Sequence, residues 1–124
     1  MRAPRSGMMD WTSQMKPTLL IVDDEEAARY AVNRVFGGDY RVVEAESVGR
    51  ARQMVRSERP DVVLLDYDLP GENGLVLLKE LAPDPAAPAV IMLTAFGGER
   101  LAVEAMKSGA YDYLAKPYDI DELR

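Results

Sequence analysis

Short apolar runs alternate along this chain with stretches of helical periodicity, and that alternation leaves it few folds. Residues 19–22 (LLIV) form an apolar run that ends abruptly in acid, as a strand buried on both faces of a parallel sheet would. Ala28, Ala31, Val32, Val35 and Phe36 then recur at helical spacing until Gly37-Gly38 stops them. Residues 40–45 read as a second strand. Ser47 reads as the N-cap of a helix burying Val48, Ala51 and Val55, with Pro60 at its boundary. Residues 62–65 (VVLL) make a third strand, again ending in acid, and Leu69-Pro70-Gly71 turns the chain. Leu77, Leu78 and Leu81 share one face of a helix over 74–82. Three prolines between residues 83 and 88 make a stiff surface connection. A fourth strand spans 90–93. Gly97-Gly98 opens a helix carrying Ala102, Ala105 and Met106, closed by Gly109. A short fifth strand spans 111–115, and Asp119 starts a helix that the chain end cuts off at Arg124.

This order predicts an α/β fold with a parallel sheet between helical layers. Right-handed crossovers reduce the topologies to a handful. Five such strands favour the flavodoxin-like (βα)5 sandwich, sheet order 2-1-3-4-5, here with its last helix truncated. Strands 1 and 3 are then neighbours at the switch point, and ligands bind beyond their carboxyl ends.

At 124 residues the length suits one domain. The chain has no cysteine and no histidine, which excludes a disulfide framework, thiolate or imidazole zinc sites, a Ser-His-Asp hydrolase and a histidine phosphocarrier. Its net charge of -6 argues against a nucleic-acid surface. The charge is uneven. Arg2, Arg5 and Lys16 against Asp10 give residues 1–16 a net of +2, so residues 17–124 carry -8. Residues 1–16 lack apolar periodicity and are expected to be a disordered leader, with residues 17–124 as the domain. They also lack a signal peptide's apolar run, and no stretch is long enough to span a membrane, so a cytoplasmic setting is expected.

Acids stand where the fold would place a ligand. Asp23 and Asp24 follow strand 1, and Asp66 follows strand 3. Thr94 ends strand 4 and Lys116 ends strand 5, just before Pro117. A solvated acid, a capping threonine or an edge lysine is commonplace singly. Together they put five polar groups at one end of a small sheet. Close carboxylates repel one another, and a hard divalent cation with oxygen ligands relieves the repulsion; Mg²⁺ fits best. Lys116 adds a point charge suited to phosphate, and Thr94 a hydroxyl donor. The set describes a phosphoryl site with a carboxylate available as nucleophile; in-line attack by Asp66 would give an aspartyl phosphate.

The stretches LLIVDDEEAARYAV, DVVLLDYDLPGENGLVLL, VIMLTAF and GAYDYLAKPYDIDEL resemble the receiver domain of two-component response regulators over residues 17–124. That resemblance implies that Asp66 is the phosphoacceptor and Asp24 a direct Mg²⁺ ligand. It implies that Asp23 orients metal-bound water, and that the backbone carbonyl of Asp68 is a further ligand. Thr94 would bind the phosphoryl group and Lys116 would pair with it. Tyr113 matches the aromatic that swings inward when the threonine moves, and Ala95 the small residue that leaves the phosphoryl group room. Phe96 and Asp68 each lie two residues past a site residue and flank the path of an attacking water. The resemblance also implies a sensor histidine kinase or phosphotransfer protein as phosphodonor. The output would be a surface of helix 4, strand 5 and helix 5, switched by the added charge of about 1.5–2 units. Such a domain catalyses only its own phosphorylation and dephosphorylation, touches no nucleic acid or membrane itself, and is not otherwise an enzyme.

The stretch AVEAMKSGAYDYLAKPYDIDEL is most similar to receivers of enhancer-binding transcriptional activators, so a piece of a longer transcription regulator, without its effector, is expected. Missing turns of the last helix would leave apolar surface open to homodimerisation through helix 4, strand 5 and helix 5. Asp66-Tyr67-Asp68 also resembles the motif of haloacid-dehalogenase-type phosphatases. In those the motif strand comes first in the chain and metal-binding acids follow the lysine, and position 70 is Pro where that motif prefers Thr or Val. A receiver that binds a partner without phosphorylation is a third alternative, weakened because all five site positions hold matching residue types.

Overall fold

Along the central strands successive side chains go to opposite faces, and here both faces are apolar. The computed structural model describes residues 16–94 and 98–115. Strands β1 (Thr18–Val22), β2 (Arg41–Ala45), β3 (Val62–Asp66), β4 (Ala89–Thr94) and β5 (Asp112–Ala115) alternate with helices α1 (Glu26–Phe36), α2 (Val48–Glu58), α3 (Gly74–Leu81) and α4 (Glu99–Lys107). All strand pairs are parallel and the sheet order is β2-β1-β3-β4-β5, as expected. Leu20 stands level with Val43 on one side and Val63 on the other, and Val63 with Val90.

The alternation sorts the core into two layers. Leu20, Val22, Val63, Leu65, Val90 and Met92 pack with Val48 and Ala51 of α2, Leu77 and Leu78 of α3 and Ala105 of α4. Leu19, Ile21, Leu64 and Leu93 meet Val32 and Phe36 of α1 on the opposite face. All five residues of β1 are buried, which is why residues 19–22 within it are an unbroken apolar run.

Element ends differ from expectation by a residue or so. Tyr40 lies ahead of β2; its N–H donates to the Phe36 carbonyl at 2.8 Å and its ring meets Phe36 edge to face. Asp66 is still a strand residue, level with Leu93 of β4. Residues 1–15, Ala95, Phe96, Gly97 and residues 116–124 lie outside the described residues. The expected leader, Lys116 and the truncated last helix fall there. Among the described residues no helix is long and apolar enough to cross a membrane.

Local chemistry accounts for the helix starts. The Ser47 hydroxyl accepts the Arg50 N–H at 3.1 Å and caps α2, and the Asn73 side chain accepts the Val76 N–H at 3.3 Å and caps α3. Ser47→Ala is expected to cost about 1 kcal/mol in urea unfolding, the usual loss for such a cap. Arg52 of α2 donates to both carboxylate oxygens of Glu80 on α3 at 2.8 Å. Those hydrogen bonds hold the Glu80 carboxyl below its ordinary range. The pair is solvent-exposed, so it orients the two helices more than it stabilises them.

Candidate functional site

Parallel strands send all their carboxyl ends to one edge, and the expected acids meet at the end of the β1–β3 pair. Asp23 extends β1 by one rung, its N–H donating to the Ala45 carbonyl at 3.1 Å. Its Oδ1 accepts the Glu25 N–H at 3.0 Å, which bends the chain out of the strand and into α1. Asp66 repeats the device at β3: its Oδ1 accepts the Asp68 N–H at 3.1 Å. Asp23 and Asp66 are almost wholly buried, at 0% and 2% exposure, while Asp24 is exposed. Carboxylate oxygens of Asp23, Asp24 and Asp66 all lie within 4.8 Å of one another.

The turn after Asp66 is braced. The Tyr67 N–H donates to the Leu93 carbonyl at 2.8 Å, and the Gly74 N–H donates to the Tyr67 carbonyl at 2.9 Å. Gly71 in that turn has φ of 83°, a left-handed value that glycine adopts without strain. Asp68 is exposed, and its side chain is not part of the three-acid cluster.

Thr94 ends β4, buried to 1% exposure, one residue beyond the position level with Asp66. Its hydroxyl reaches the Leu114 carbonyl at 3.5 Å, the long limit of a hydrogen bond. Thr94 stands level with Ala115, the residue before Lys116. Tyr113 lies on β5 with its side chain exposed. The structure thus brings four of the expected residues, Asp23, Asp24, Asp66 and Thr94, to one sheet edge; Lys116 and Ala95 fall outside the described residues. Nothing in the sequence marks Arg29 or Gly74, whose contacts are tertiary: the Arg29 Nη1 donates to the Asp23 carbonyl at 2.8 Å, and Gly74 abuts the Asp66 carbonyl.

Chemically, the cluster is a set of hard oxygen donors carrying three formal negative charges in a small, half-desolvated volume. Such a set accepts a divalent cation and offers a carboxylate nucleophile, with a hydroxyl donor on the neighbouring strand.

The model of the response regulator receiver domain matches residues 19–124. Sporulation initiation phosphotransferase F of Bacillus subtilis (strain 168) is 39% identical over 111 residues, covering 89% of this chain and 90% of that protein. The DNA-binding transcriptional regulator NtrC of Escherichia coli (strain K12) is 37% identical over 103 residues, covering 82% of this chain but 22% of its own length. The receiver domain of NtrX from Brucella abortus superposes with a TM-score of 0.77 at 31% identity, covering 85% of this chain and 90% of that one. By sequence and by fold alike, this chain belongs to the response regulator receiver domain family.

Proposed function

We propose that Asp66 is the residue that accepts the phosphoryl group, in a Mg²⁺-dependent transfer from a sensor histidine kinase or phosphotransfer protein. The observation that carries this reading is the convergence of the Asp23, Asp24 and Asp66 carboxylates within 4.8 Å at the ends of β1 and β3. The donor set fits the cation, since all three groups offer hard oxygens and a divalent ion relieves the repulsion among close carboxylates. Asp24 and Asp66 would hold Mg²⁺ directly with the Asp68 backbone carbonyl, and Asp23 through water. Bound Mg²⁺ would supply positive charge against the phosphoryl oxygens.

The chain's own groups do the rest. A carboxylate oxygen of Asp66 forms a bond to phosphorus while the bond from phosphorus to the donor's nitrogen or oxygen breaks, its electron pair leaving with the donor. The Asp68 N–H, bonded to Asp66 Oδ1, fixes the rotamer of the nucleophile. Thr94 donates its hydroxyl to the phosphoryl group, exchanging its long bond to Leu114 for a shorter one, and Lys116 pairs with the group's charge. Tyr113 then follows Thr94 inward. The output surface would be α4, β5 and the helix expected after them; Val103, Met106, Tyr111 and Tyr113 already expose apolar surface on α4 and near β5. Homodimerisation there, a cytoplasmic setting and control of transcription, as the kinship with NtrC suggests, belong to the same reading.

Intact mass measured after incubation with acetyl phosphate and Mg²⁺ tests it. The wild-type chain should gain one phosphoryl group and Asp66→Ala none. Labelling that survives in Asp66→Ala would refute the assignment. Multiple turnover of a generic phosphomonoester would favour the phosphatase alternative instead.

A further inference from the structure

Arg29 is the most enclosed arginine among the ion pairs of the described residues, with its side chain 16% exposed. Its guanidinium makes two bonds at once: Nη1 donates to the backbone carbonyl of Asp23 at 2.8 Å, and Nε to Oε1 of Glu44 at 2.9 Å. Glu44 belongs to β2, where it stands level with Ile21 of β1. The next β2 residue, Ala45, accepts the Asp23 N–H at 3.1 Å. Asp23 is therefore held at both ends of its backbone from the β2 side, by Ala45 directly and by Glu44 through Arg29. The carbonyl in question belongs to the peptide joining Asp23 to Asp24, so its orientation fixes how the two acids are presented. The Asn33 amide also reaches Glu44, at 3.5 Å, and turns the carboxylate toward α1.

We infer that Arg29, anchored by Glu44, is a positioning residue for the acid pair: it locks the Asp23–Asp24 peptide so that both carboxylates face the cation site without paying reorganisation when the ion arrives. This inference rests on the Mg²⁺ reading above. Groups that orient ligands from behind typically change metal affinity by about 10–100-fold when removed. The planar fork matters here. Lysine keeps the charge, but its single ammonium does not reproduce the two-directional geometry that spans a carbonyl and a carboxylate.

Charge and geometry oppose each other in Arg29, which makes the role testable. As a nearby cation Arg29 repels Mg²⁺, so on charge alone Arg29→Gln would tighten binding and Arg29→Lys would leave it unchanged. As a clamp, Arg29→Gln and Arg29→Lys both weaken it. Titration of the whole chain with MgCl₂ by calorimetry is expected to show Kd rising about tenfold or more in both variants. Glu44→Gln, which keeps Arg29 but removes its charged anchor, should raise Kd in the same direction by less. Circular dichroism in EDTA identifies a variant that fails to fold, and Arg29→Lys, which keeps the charge, then decides. Unchanged or tighter Mg²⁺ binding in the folded variants overturns the clamp while leaving the site intact. A wild-type chain that binds no Mg²⁺ overturns the clamp and the metal reading together.

Discussion

Gly74→Ala is expected to lower stability by about 3 kcal/mol and to slow phosphoacceptance steeply, although the change adds one methyl group. A Cβ at position 74 would collide with the Asp66 carbonyl oxygen and would lie 3.2 Å from the Asp66 carbonyl carbon and 3.1 Å from Leu65 Cγ. Two of those neighbours are backbone, so no side chain can rotate aside. α3 would have to retreat from the end of β3 and stretch the bond from the Gly74 N–H to the Tyr67 carbonyl. Overpacking usually costs about 1–3 kcal/mol, and a backbone collision belongs at the upper end of that range. A domain of this size should lose about 10 °C in Tm. Because the pressed residue is the proposed nucleophile, a displacement near 1 Å should also cut the rate with acetyl phosphate by about 10–100-fold. Gly49→Ala is the control. Its Cβ meets nothing within 4 Å inside α2, and the exchange should stabilise the helix by about 0.5–1 kcal/mol. Urea midpoints and single-turnover rates for both variants check the pair of expectations. Equal behaviour of the two alanines would mean that α3 tolerates the shift.

Most of this architecture was legible because parallel strands buried on both sides must be unbroken apolar runs. The runs at 19–22, 62–65 and 90–93 mark the three central strands, and their handed connections imply the sheet order that the structure has. Asp23, Asp24 and Asp66 were legible for the same reason: an acid directly after a buried strand has one place to go. Asp66 proved to be the last residue of β3, since its backbone still pairs while its side chain has reached the edge. The roles of Arg29 and Glu44 were hidden. An arginine on an amphipathic helix and a glutamate on an edge strand look like solvated charges, and only the β1–β2 register brings them together behind Asp23. Gly74 read as a helix start; its need for hydrogen in place of a side chain depends on how closely α3 docks on β3, which is a tertiary distance. Tyr40 and Tyr111 read as strand residues by composition, yet the pairing begins one residue later in each case.

Asp23→Asn is expected to change the sign of its effect with the metal: more stable than wild type in EDTA, less stable in excess MgCl₂. The Asp23 carboxylate is wholly buried and lies within 4.8 Å of oxygens from Asp24 and Asp66. At that separation each like-charge pair costs about 3.5 kcal/mol at an effective dielectric of 20. Solvent around the exposed Asp24 and the Arg29 guanidinium on the Asp23 carbonyl offset part of this, so the net gain on neutralisation should be about 1–2 kcal/mol. Asparagine keeps the Oδ1 that accepts the Glu25 N–H, and its amide can donate to the two remaining carboxylates. With Mg²⁺ the order reverses. An ion at a hundred times its Kd stabilises the wild-type fold by about 2.7 kcal/mol, and the variant, short of one charge, gains much less. Thermal melts of both proteins with and without MgCl₂ should therefore cross. The crossing distinguishes two reasons for burying an acid at the end of β1. If the acid serves the fold, through its bond to the Glu25 N–H, asparagine serves nearly as well and the melts run parallel. If it serves a cation, the repulsion in the empty cluster is a cost of the site that binding removes, and only a charge can provide the difference.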